Sequence, residues 1–213
     1  MPAMHSPRNS ATRLDPARIV AYSDGVFVVA ATLLVVAIDI PDIPERLVSR
    51  DLPGALDHIY GQLYSFFLSF AVIGSLWIRH HVVFGRIARW DTGFVWINML
   101  LLAFVAVLPL PTELLGRYSA EPAPVAIYAV NIVLISLTLT ALHRYAERRG
   151  LVREAEAGNG LGRDDRIRGI AIPVIFAASI PIAYLVDPEV AMWSWAVLGL
   201  AARLVIPRLA PGD

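Results

Sequence analysis

The sequence predicts an all-α integral membrane protein, and three observations carry that prediction. Apolar residues make up 57% of the 213-residue chain and charged residues only 17%, a balance outside the range of a soluble domain of this size. The apolar residues fall in long runs. Crossing about 30 Å of hydrocarbon at about 1.5 Å per residue takes roughly 20 such residues in a helix, and the runs reach that length. Between them lie short stretches rich in charge, proline and glycine, which read as loops.

Six segments meet the requirement, at 18–40, 57–84, 92–115, 124–145, 166–186 and 189–207. The first follows a polar, arginine-containing tail over 1–17. Its apolar run is too long for a signal-peptide core and lacks a cleavage site, so it is expected to be retained as a span. The stretch 41–56, PDIPERLVSRDLPGAL, reads as an exposed loop because of its three prolines and five charges. The second span ends in SLWIRHHVVFGRIARW. The third has Asn98 near its cytoplasmic beginning, and Pro109 and Pro111 at its far end should stop or kink it by removing backbone donors. The fourth carries Asn131, Ser136, Thr138 and Thr140, which suit hydrogen bonds to neighbouring helices or to their own backbone. Residues 146–165 read as a polar hairpin. Pro173 and Pro181 are expected to bend the fifth span, and the sixth is the shortest. A transmembrane domain over 18–207 thus lies between tails at 1–17 and 208–213.

Arginine sets the orientation. Every basic residue is arginine, and with both termini on one side fifteen of the eighteen fall on that side, leaving only Arg46, Arg50 and Arg117 opposite. The positive-inside rule then makes the protein a multi-pass component of the cell membrane with both termini cytoplasmic. The opposite loops carry Asp39, Asp42, Glu45, Asp51, Asp57, Glu113, Glu121, Asp187 and Glu189, an acidic outer face of ordinary solvated charge or one that concentrates cations. Net charge is zero, which gives no reason to expect a nucleic-acid partner. Absence of cysteine excludes disulfides, thiolate metal sites and cysteine nucleophiles.

The first helix, RIVAYSDGVFVVAATLLVVAIDI, holds a carboxylate, Asp24, within membrane-length apolar sequence. A charge there costs several kcal/mol unless it faces protein, water or an ion path. At 100° per residue Arg18, Tyr22, Gly25, Val29, Thr32, Leu33, Val36 and Ile40 share one stripe, and Asp24, Phe27 and Ala31 lie off it. The stripe by itself reads as core or lipid contact. Trp77, Arg79, His80, His81 and Phe84 cluster at the cytoplasmic end of the second span. Adjacent histidines diverge by 100° and do not make the i, i+4 pair that holds zinc. A hydrogen bond from one of them to Asp24 or Ser23, with Asn98 joining, satisfies each group economically; proton sensing and metal-dependent catalysis are the other uses of such a pair.

Taken together, RIVAYSDGVFVVAATLL, WIRHHVVF and NMLLLAFVAVLPLPT resemble the bacterial members of the endosomal/lysosomal transmembrane potassium channel family, over about residues 18 to 116. That family opens its first helix with Arg-x-x-x-Phe-Ser-Asp, matched here by Arg18, Tyr22, Ser23 and Asp24 with tyrosine for phenylalanine. The resemblance implies a homotetramer of six-helix subunits whose first helices line a potassium path through apolar rings. Those rings map onto Val29, Leu33 and Val36, with Thr32 as an adjacent polar position and no TVGYG filter. It implies that Arg18, Tyr22, Ser23, Asp24, Trp77, His80, His81 and Asn98 form a structural network. No catalytic residue, metal or cofactor is expected beyond the permeant potassium ion, and the expected partners are further copies of the chain, potassium and membrane lipid. Two alternatives stand beside the channel: an intramembrane metal-dependent lipid hydrolase using Asp24 and the histidines, and a non-conducting scaffold.

Overall fold

In the computed structural model, residues 16–39, 43–153 and 163–195 are described. Among them the chain is helical throughout apart from short connections. Helix α1 spans Pro16–Val36, α2 Val48–Gly85, α3 Thr92–Val107, α4 Pro109–Arg117, α5 Pro122–Arg148 and α6 Arg163–Leu185. A further helix, α7, begins at 188 and is described to 195. Four stretches are long and apolar enough to cross a membrane: Pro16–Val36, Ile59–Gly85, Thr92–Arg117 and Pro122–Arg148. The apolar part of α6, Gly169–Leu185, is shorter. The chain is therefore a multi-pass membrane protein. Most of the predicted sixth span, and both predicted tails apart from Pro16 and Ala17, fall outside the described residues.

One boundary differs from the sequence expectation, and one expected break is present. The stretch read as a loop up to residue 56 is helical from Val48, after a 3-10 turn over Glu45–Leu47. Pro53 lies inside α2, in its second turn, where it leaves Ser49 O without an i→i−4 donor. At about 57 Å, by a rise of 1.5 Å per residue, the 38-residue α2 outreaches the bilayer, so its polar first turns belong outside the apolar span. The third segment is divided. Pro109 has no N–H to give to Val105, whose carbonyl instead accepts from Leu108 at 3.2 Å, and α4 restarts with the proline in its first turn.

Local chemistry fixes the other ends. Asp91 caps α3, its Oδ1 accepting from Phe94 N at 2.7 Å. Asp187 caps α7 through Glu189 N and Val190 N at 2.8 and 3.1 Å. Helix α5 closes at Gly150, whose φ of 63° is favourable only without a Cβ. There Gly150 N donates to Glu147 O at 3.1 Å and Leu151 N to Ala146 O at 2.9 Å. This reversal aims Val152 back at Ile87, with which it forms an antiparallel bridge. The predicted polar hairpin over 146–165 thus begins by pairing with the α2–α3 connection, which hydropathy does not reveal.

Helix α5 packs most extensively on α6 and α3, and α1 lies against α2 and α3. Phe94, Leu101 and Val105 of α3 and Tyr128, Ile132, Ile135 and Leu142 of α5 are fully buried. A hydroxyl cluster crosses this core: Ser69 Oγ lies 2.9 Å from Thr112 Oγ1 and 3.1 Å from Tyr128 Oη, and Thr112 donates to Leu108 O at 2.9 Å. It ties α2, α4 and α5 where no water is available to satisfy a hydroxyl.

Candidate ion-path helix and its polar anchor

Helix α1 has a buried face and an exposed face, and the sequence assigns different chemistry to each. Ile19, Ser23, Phe27, Ala30 and Leu34 are its buried residues, stepping by three or four so that they form one stripe. Val29, Leu33 and Val36 lie on the other side, 55%, 44% and 75% exposed. Thr32 is also exposed, its Oγ1 donating to Val29 O at 2.9 Å. That bond uses the hydroxyl proton and leaves oxygen lone pairs on the exposed side. Val28 and Val35 are exposed as well, so the open surface of α1 extends beyond the Val29 stripe.

The buried face is anchored by polar groups. Ser23 Oγ donates to Ile19 O at 2.9 Å, and Asn98 Nδ2 donates to Ser23 Oγ at 3.0 Å. Asn98 Oδ1 is then left for His80 Nε2, 3.0 Å away. Because an amide oxygen only accepts, His80 carries its proton on Nε2 and is held as that tautomer. The three side chains are all buried. Phe84 stacks on the His80 ring at 3.9 Å and Phe27 approaches at 5.3 Å, which closes the site to water. Three helices thus share one satisfied polar chain in an apolar setting, where each broken link leaves an orphan.

Asp24 sits at the rim of this arrangement. Its Oδ1 accepts from Trp77 Nε1 at 2.9 Å. The sequence expectation of a direct histidine bond to Asp24 or Ser23 is therefore corrected: the indole takes Asp24, and Asn98 stands between His80 and Ser23. His81 is exposed and lies beside the Trp77 ring at 5.7 Å. The 100° between neighbouring helical positions explains why only His80 enters the core. Arg18 and Tyr22 are exposed on the far stripe and make no hydrogen bond to the network among the described residues. Those residues also hold no group of three or more His, Asp or Glu placed to share a metal ion.

A second junction, not legible in the sequence, holds the opposite end of α1. Asp39 N donates to Gln62 Oε1 at 2.8 Å, and Arg117 Nη2 lies 3.5 Å from Asp39 Oδ2 and 3.0 Å from Glu113 Oε1. Charges that read as loop solvation thus bind the end of α1 to α2 and α4. Both ends of the helix are fixed on its core side, and the Val29 side is left open.

A model of the endosomal/lysosomal potassium channel TMEM175 family matches residues 18–109. A potassium channel of Streptomyces collinus is 32% identical over 179 residues, 80% of this chain and 84% of that protein. The chain belongs to the TMEM175 family. A crystal structure described as a lysosomal potassium-selective channel TMEM175 homolog from Chamaesiphon minutus is similar at a TM-score of 0.71 and 27% identity, covering 90% of this chain and 97% of that one. The human endosomal/lysosomal proton channel TMEM175 is 32% identical over 149 residues, which are 63% of this chain but 29% of the human one. The TMEM175 match takes in Ser23, Asp24, Trp77, His80 and Asn98 together, so the polar anchor lies wholly within the family region.

Proposed function

We propose that this TMEM175-family chain is a potassium-permeable channel of the cell membrane, assembled as a homotetramer of six-helix subunits with both termini cytoplasmic. Four copies of α1 line the path. The observation that carries this reading is the division of α1: its Ser23 face is locked to α2 and α3, and its Val29, Leu33 and Val36 face is apolar and open. Buried polar anchors are expensive to maintain in hydrocarbon and suit a helix whose exposed face must be aimed accurately.

In a four-fold assembly the short branched side chains of Val29 form the narrowest ring, with Leu33 and Val36 as further rings. Such rings exclude water, so a cation sheds part of its hydration to pass. Potassium is less tightly hydrated than sodium and is favoured at this barrier. The Thr32 oxygens, freed by the bond to Val29 O, offer compensating acceptors one turn away. No TVGYG segment supplies a carbonyl filter.

The hydrolase alternative gains nothing from the geometry, because His80 Nε2 is bound to Asn98 and Asp24 to Trp77. A non-conducting scaffold is distinguished by flux. Purified protein in liposomes should pass potassium in preference to sodium, Val29→Asn should raise flux and lower that preference, and the lipid-facing control Val35→Asn should change neither. Equal effects at both positions, or none at Val29, would remove α1 from the path.

A further inference from the structure

At the end of the bundle that the arginine distribution makes cytoplasmic, two connections are joined by their main chains. Ala88 N and Arg89 N both approach Leu151 O, at 2.8 and 3.2 Å, and Arg153 N donates to Arg86 O at 2.9 Å. Arg86 and Arg153 therefore lie across one bridge with Arg89 beside them. Arg149 is held over the Tyr145 ring at 5.5 Å, and Tyr145 Oη donates to Asp91 Oδ2 at 3.0 Å. Gly93 makes that bond possible, since a Cβ there would overlap the Tyr145 hydroxyl. The positive-inside rule asks only that arginines lie on this side; it does not ask that two arginine-bearing loops be locked together.

Acidic neighbours among the described residues are turned to other work. Asp91 gives one oxygen to Phe94 N and the other to Tyr145, and Glu147 lies 3.0 Å from His143 Nε2. Arg89, Arg149 and Arg153 are exposed and form no ion pair among the described residues. Like charges pinned by backbone bonds cannot spread apart, and an anion lowers their repulsion. The setting identifies the anion. Trp90, next to Arg89, packs on Phe84 and Phe94 at 5.1 Å, and Trp77 is partly exposed near the same helix end. Indoles of this kind sit at headgroup depth, where arginine clusters meet lipid phosphates.

We propose that the joined Arg86–Arg89 and Arg149–Arg153 loops form a binding platform for anionic phospholipid headgroups. Only the choice of leaflet rests on the orientation given above. The purified full-length protein, stripped of lipid in neutral detergent, should bind phosphatidylglycerol in native mass spectrometry and gain thermal stability from it, and not from phosphatidylcholine or inorganic phosphate. Replacing Arg89, Arg149 and Arg153 together with glutamine should weaken phosphatidylglycerol binding about five-fold per arginine, on the order of 100-fold in all. The same three positions as lysine, which keeps the charge, should retain most of it, and Arg46→Gln at the opposite end should retain all. Unchanged binding in the glutamine variant, equal loss with Arg46→Gln, or equal stabilisation by inorganic phosphate would overturn the proposal. Potassium flux measured in parallel separates the two readings: a conducting protein without lipid preference refutes the platform and spares the channel.

Discussion

Asn98 is the link whose removal tests the anchor most directly. Asn98→Leu keeps similar volume and deletes two hydrogen bonds, those to Ser23 and to His80, each 3.0 Å long. Ser23 keeps its own bond to Ile19 O and loses only an accepted one. His80 is worse placed, because its Nε2–H is left without a partner at 1% exposure. Two average bonds between membrane helices give a lower bound of about 1 kcal/mol. Stranding a buried donor costs about 1–3 kcal/mol and the lost Ser23 contact about 1 more, so roughly 2–4 kcal/mol is expected. His80→Phe in the Asn98→Leu background removes the orphan and keeps a ring against Phe84 and Phe27, so part of the loss should return. Thermal denaturation in detergent, read as a double-mutant cycle, measures this coupling. Strictly additive single effects, or a stable Asn98→Leu protein, would show that the two side chains do not act together and refute the reasoning.

Three further outcomes are expected. Asp24→Asn leaves an amide oxygen for Trp77 Nε1 but removes the charge assistance, so stability and assembly on size exclusion should fall by about 1 kcal/mol with the potassium-to-sodium flux ratio unchanged; an intact protein with altered preference would put Asp24 in the path instead. Gly150→Ala forces a Cβ into left-handed backbone at a cost of about 1 kcal/mol, and hydrogen exchange should quicken at Ala88 and Arg153 before it does in α3. Chelation with EDTA should leave potassium flux intact and release no stoichiometric metal, and a tightly held zinc lost in His80→Ala would revive the hydrolase.

Hydropathy determined most of the architecture, since crossing the bilayer imposes length and apolarity on each segment independently of its neighbours. Four spans lie where those runs fall, and the break at Pro109 follows from the missing N–H. The same local rule misread 48–56 as a loop, because the stretch 41–56 has three prolines and five charges, whereas α2 carries Arg50, Asp51 and Pro53 beyond the bilayer. On α1 the 100° period separated the Val29 stripe from Asp24 without any coordinates. Pairings between distant positions were another matter. Sequence drew Ser23, His80 and Asn98 into one neighbourhood, but only tertiary structure decided that the amide lies between serine and histidine and that Trp77 takes Asp24. The Asp39, Gln62 and Arg117 junction and the bridge from Ile87 to Val152 left no periodic trace. Each joins residues more than twenty positions apart through one or two directional bonds, and such bonds are set by where helices pack, a property that no single segment contains.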